Sequence, residues 1–155
     1  MSEKKTIEEK LKDTLGGELL TNALDFVAYL RSIGMTPGEG ETRFYYMGQF
    51  ACIIIFSSDW WIVCDCPTIE HKNFPIDESV KQYAWASVKQ CNKCGGENGC
   101  GHEAMGATKE IFGKRYENLC SSECHFFSPD ADDLVKLKKL MELWTHIIAD
   151  KQCTD

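Results

Sequence analysis

No apolar run in these 155 residues approaches the roughly 20 that a spanning helix needs. The longest, residues 50–56, has the length of a strand, so no membrane partner is expected. Basic charge is also short: 17 Lys and Arg stand against 24 Asp and Glu, for a formal net charge of −7. Nucleic-acid binders draw much of their affinity from clustered cations that neutralise phosphates. Here the lysines are interspersed with acids, and no nucleic-acid partner is expected. The start, Met1-Ser2-Glu3-Lys4-Lys5, has no apolar core of a secretory leader, which predicts a cytoplasmic protein with reduced thiols. Catalytic signatures are missing as well: there is no G-x-S-x-G, no Walker A loop, no H-E-x-x-H and no G-x-G-x-x-G. The zinc-deaminase H-x-E fails on spacing, because Glu103 directly follows His102 and Ala104 takes the acid's place.

Cysteine, by contrast, is abundant, with nine in the chain. Cys91 and Cys94 form a C-x2-C turn followed by Gly95-Gly96, with Cys100 and His102 close behind and Cys120, Cys124 and His125 further on. Such a turn sets two thiolates at adjacent corners of a tetrahedron, and the glycine after it permits positive φ. Cys91, Cys94, Cys100 and Cys120 are the candidate ligands of one zinc, with His102, Cys124 and His125 as alternates. Disulfides, a reactive-thiol role and an iron–sulfur cluster are the competing readings. A thioredoxin-type pair should open a helix that lowers the thiol pKa, whereas Cys94 runs into Gly95-Gly96-Glu97-Asn98-Gly99. Cys64 and Cys66, two apart at the end of a strand-like run and near His71, could form a second metal site or a thiol switch. Buried cysteine is ordinarily a small hydrophobe, which is the reading for Cys52.

The length suits a single domain, residues 1–155. Thr6 and Glu9 make a capping box for a short helix within 1–17 that is expected to be peripheral and mostly exposed. A second helix spans about 18–33, with Leu20, Leu24, Val27 and Leu30 on one stripe and Gly34 as its stop. Three strand-like runs, 43–47, 50–56 and 60–66, separated by short polar breaks, read as an antiparallel meander. The run 50–56 is apolar on both faces, which predicts a strand covered on both sides. Asp77 is placed to cap a helix that reaches about Lys89. Residues 91–124 form the zinc-knuckle segment, in which 108–112 and 114–120 suggest a second hairpin that Cys124 to Phe127 can continue. Ser128-Pro129-Asp130 opens a last helix, with Ser128 as the cap and Pro129 at the first helical position, and Leu134, Leu137, Met141, Trp144 and Ile148 lie on its apolar face. Strands bounded by helices without βαβ alternation indicate an α+β fold with a mainly antiparallel sheet packed against N-terminal, central and C-terminal helices.

The aromatics Trp60, Trp61, Tyr46 and Trp85 are candidate ligand-binding residues, because alternation sends Trp60 and Trp61 to opposite faces and one of them can line a partner surface. Core packing is the plainer reading of both. The tryptophan-bearing strands, the C-x2-C-G knuckle, Ile111-Phe112-Gly113-Lys114 leading to Asn118-Leu119-Cys120, and Phe127-Ser128-Pro129-Asp130 resemble a family of small bacterial α+β domains with a four-cysteine zinc knuckle, distantly similar to the YdhG/YjbR-like domains. The resemblance covers roughly residues 43–144 and implies a fold rather than an activity; Cys124 and His102 are additions to its four-cysteine pattern. Together these readings predict a cytoplasmic domain with a structural zinc that binds a small molecule or a protein partner through an aromatic surface. The rival classes are an enzyme with an open zinc site built from His102, Cys124 or His125 around a water, and a thiol-based redox or heavy-metal sensor.

Overall fold

The computed structural model describes residues 4–65, 76–90 and 107–154. The elements are α1 (Ile7–Thr14), α2 (Gly17–Ser32), β1 (Thr36–Pro37), β2 (Arg43–Tyr46), β3 (Gln49–Phe56), β4 (Trp61–Asp65), α3 (Glu78–Ala86), β5 (Val88–Gln90), β6 (Ala107–Ile111), β7 (Lys114–Phe127) and α4 (Ala131–Thr154). The strands form one sheet in the order β1-β2-β3-β4-β7-β5, with β6 also on β7, and every pairing among the described residues is antiparallel. This is an α+β fold with an antiparallel sheet.

Local chemistry explains the connections. Met47 and Gly48, with φ of 51° and 81°, close the two-residue turn between Tyr46 and Gln49. Phe112 and Gly113, at 47° and 84°, do the same between Ile111 and Lys114. Positive φ at both central positions matches the twist of the flanking strands. The turn β2–β3 is therefore Met47-Gly48 rather than Gly48-Gln49. The second hairpin runs further than 114–120: β7 continues without a break through Cys120 to Phe127, 14 residues in all.

The helices gather on one face of the sheet. Phe26 of α2 packs on Trp61, with ring centroids 5.9 Å apart, and Tyr83 of α3 packs on Phe126 at 5.1 Å. Leu134, Leu137, Leu140, Met141, Trp144 and Ile147 of α4 join the same core. Two expectations need correction. The first helix is not peripheral: Ile7 and Leu11 are fully buried and Leu15 nearly so, because positions four apart make a narrow stripe that lands on the core. The α1 start is fixed by the capping box of Thr6 and Glu9, and the Ile7 amide also donates to Glu41 Oε1 at 3.0 Å. The last helix is capped by Asp130, whose Oδ1 accepts from the Asp133 amide at 2.8 Å, and not by Ser128. Ser128 instead ties β7 to β4, its amide donating to the Trp61 carbonyl at 2.6 Å. On the second face of β3, Ile55 is 43% exposed.

Candidate functional site

β7 is the strand beside which the segments carrying the candidate ligands begin and end. Leu119 is paired on one edge with Gln90 of β5 and on the other with Ala107 of β6. Gln90 is the last residue before Cys91, and Ala107 the first after the segment 91–106; Leu119 itself precedes Cys120. On the β6 edge, β4 follows in line: Asp65 is paired with Glu123, and Cys66 comes next in the chain. The cysteine-bearing segments thus enter and leave along a single short stretch of β7. Cys91, Cys94, Cys100 and His102, together with Cys66 and His71, lie outside the described residues, as does the side chain of Cys120. Among the described residues no three His, Cys, Asp or Glu side chains are grouped so as to hold a metal.

Two of the alternate ligands are described, and they point apart as strand neighbours must. Cys124 is 3% exposed and its Sγ donates to the Ala84 carbonyl of α3 at 3.6 Å, on the helix side. His125 is on the other face, directly across from Cys64, with its amide donating to the Ser87 carbonyl at 2.8 Å. Burial first, and then the nearby Lys89 charge, hold the His125 imidazole below its ordinary pKa, so near neutral pH it is the uncharged form that can accept a bond or a metal. Cys124 and His125 therefore do not form a nucleophile–base pair.

The four aromatics proposed from sequence do not converge. Trp61 is fully buried in the core against Phe26, and its Nε1–H has no acceptor among the described residues. Tyr46 lies beneath Gly34 at the end of α2. The Trp85 indole donates to the Ile111 carbonyl at 2.8 Å, with the Lys114 ammonium 5.2 Å from its ring, which ties α3 to the β6–β7 hairpin. Trp60 alone reaches the face opposite the helices, where it stacks on Phe127 with centroids 6.1 Å apart.

That face is organised in rows by the strand register. One row crosses β2, β3, β4 and β7 as Arg43, Ile53, Cys64 and His125; the next is Ile55, Ile62 and Phe127. The alternate rows, Ile54-Val63-Phe126 and Phe56-Trp61, point to the helices. In the first row Cys64 is only 3% exposed, while in the second Phe127 is 63% exposed. Beside Arg43 a cavity of about 420 Å³ opens, lined by Gly38, Glu39, Gly40, Thr42, Arg43, Tyr45 and Ile53. Gly38 is required there, because a Cβ would stand 2.6 Å from the Tyr45 ring. Ile55, Ile62 and Phe127 were not singled out by sequence, since a strand apolar on both faces does not reveal which face lies opposite the helices. No protein-family model, no curated protein and no solved structure matches this chain.

Proposed function

We propose that this chain is a zinc-stapled binding domain of the cytoplasm. Cys91, Cys94, Cys100 and Cys120 hold one Zn²⁺ that fastens the segment 91–106 to β7, and an aromatic surface at Trp60 and Phe127 receives a small molecule or a protein partner. The observation that carries the metal assignment is the double pairing of Leu119, with Gln90 and Ala107 on its two edges. Adjacent strands lie about 4.8 Å apart, so the ends of a 16-residue segment leave the sheet within about 10 Å of each other and beside Cys120. A Cys-x2-Cys turn in such a closed segment, with a further thiol at its base, suits the tetrahedral all-sulfur sites that are structural rather than catalytic. When bound, the zinc supplies four bonds to deprotonated thiols, and its binding energy is folding energy.

The closed site is favoured over an open catalytic one because Cys124 is engaged with α3 and His125 points to the other face. Nucleic acid is no partner in this reading, because the balance of charge is acidic. Protein purified without added metal should contain about one zinc per chain. Replacing Cys91 or Cys120 with serine should release it, whereas His102→Ala should retain it. Iron with visible absorption, or the absence of any metal, would contradict the assignment; loss of zinc in His102→Ala with retention in Cys120→Ser would favour the open site.

A further inference from the structure

The loop between β1 and β2 is held in one shape from three sides. Along its own backbone the Gly38 amide donates to the Arg43 carbonyl at 2.8 Å, and the Glu41 amide donates to the Gly38 carbonyl at 3.0 Å. Helix α1 grips it as well: the Ile7 amide donates to Glu41 Oε1 and Lys10 Nζ to the Gly40 carbonyl, both at 3.0 Å. Glu41 takes a φ of 65°, a left-handed conformation that is costly for a residue with a Cβ and persists only where its surroundings enforce it. On the sheet side the Tyr45 ring lies against Gly38 and meets the Phe50 ring edge-on, with centroids 5.9 Å apart. The walls of the cavity of about 420 Å³ are therefore in place before any ligand arrives.

Two opposite charges line this cavity and do not meet. Glu39 and Arg43 are both exposed, yet neither forms an ion pair or a side-chain hydrogen bond among the described residues. Nearby charges do pair, as Arg31 does with Glu8 and Lys5 with Asp13, each at 2.7 Å. A simple anion seated here would be repelled by Glu39, and a simple cation by Arg43. A ligand that carries both charges satisfies both groups. The Tyr45 ring and Ile53 add an apolar wall, and the volume stands at the small end of the roughly 300–1,000 Å³ of small-molecule sites. The residues named come from one continuous stretch, 38–53, that is described throughout.

We propose that this cavity binds a free α-amino acid with an apolar side chain. Arg43 takes its carboxylate, Glu39 takes its ammonium, and its side chain lies along Tyr45 and Ile53. A free amino acid carries both charges on one carbon, whereas a peptide terminus offers only one of them. The site draws on neither the zinc nor the Trp60–Phe127 surface, so it stands or falls by itself.

The test uses the full chain and three probes that share a ring: phenylalanine, N-acetylphenylalanine without the ammonium, and phenylalaninamide without the carboxylate. In amide-resolved NMR titrations at low salt, phenylalanine should shift the backbone amides of residues 38–45, and each derivative should bind about fivefold more weakly, the upper end for one exposed ion pair. Arg43→Gln should erase the difference between phenylalanine and its amide. Glu39→Gln should erase the difference between phenylalanine and its N-acetyl derivative. Equal binding of all three probes to the wild type would overturn the recognition by two charges. Shifts confined to residues outside 38–53 would place the site elsewhere and sink the proposal. No shift with any probe at about 10 mM would exclude even a millimolar site and overturn it as well.

Discussion

Adjacent residues in this chain have opposite fates, and the physical cause lies in their neighbours. Trp60 and Trp61 share a side chain, yet one stacks on Phe127 and the other is sealed under Phe26. Their separation follows from strand alternation and was legible in the sequence; which of them faced the core was not, because that depends on where the helices land. Tyr83 gives a titratable example. Burial against Phe126, and then the carboxylates of Asp133 and Asp130, push its phenol well above the ordinary pKa of 10.0. The folded chain therefore holds this proton more tightly than the unfolded chain. Its contribution to stability is fully present below about pH 10 and is lost as the pH rises from there toward the folded-state value. One such proton costs up to about 1.4 kcal/mol per pH unit in that window. Urea unfolding of wild type and Tyr83→Phe from pH 9 to 11 should show a shallower decline in the variant; identical slopes would mean that the phenol ionises freely in the folded state.

Elements were read more accurately than their edges. The capping box of α1, the meander, the second hairpin and the amphipathic stripe of α4 are all written in short-range patterns, and the fold follows them. Three features depend on distant contacts and were not legible. α1 reads as an exposed charged helix because only Ile7, Leu11 and Leu15 mark its buried side, and the core that receives them comes from elements far along the chain. β5 takes over the end of the expected third helix because Val88 and Gln90 find partners on β7. β7 extends through Ser121 and Ser122, residues of modest strand propensity, between stretches that are paired on either side of them: Leu119 with Gln90 and Ala107, Glu123 with Asp65 and Cys124 with Val88. The docking of α1 makes a sharp prediction. Leu11→Ala should destabilise the protein by about 2–5 kcal/mol, the range for a fully buried leucine, as measured by denaturant unfolding. A loss under about 0.5 kcal/mol, typical of surface changes, would return α1 to the periphery.

At the scale of the whole molecule, the sheet divides the labour. Its helix-covered face supplies the core; its other face carries Ile53, Ile55, Ile62 and Phe127. β7 joins the two functions, since it contributes Phe126 to the core, Phe127 to the other face and the Leu119 pairings that bring both ends of the segment 91–106 to Cys120. The C-x2-C turn named the candidate ligands from sequence, but the return of both ends of the segment 91–106 to Leu119 appears only in the strand register. None of the described helices is long and apolar enough to cross a membrane. X-ray absorption at the zinc edge of the purified protein tests the central claim most directly. A closed site of Cys91, Cys94, Cys100 and Cys120 predicts four sulfur scatterers at about 2.3 Å and no lighter ligand. A first shell that includes nitrogen or oxygen at about 2.0–2.1 Å would contradict it, by bringing a histidine or water into the site.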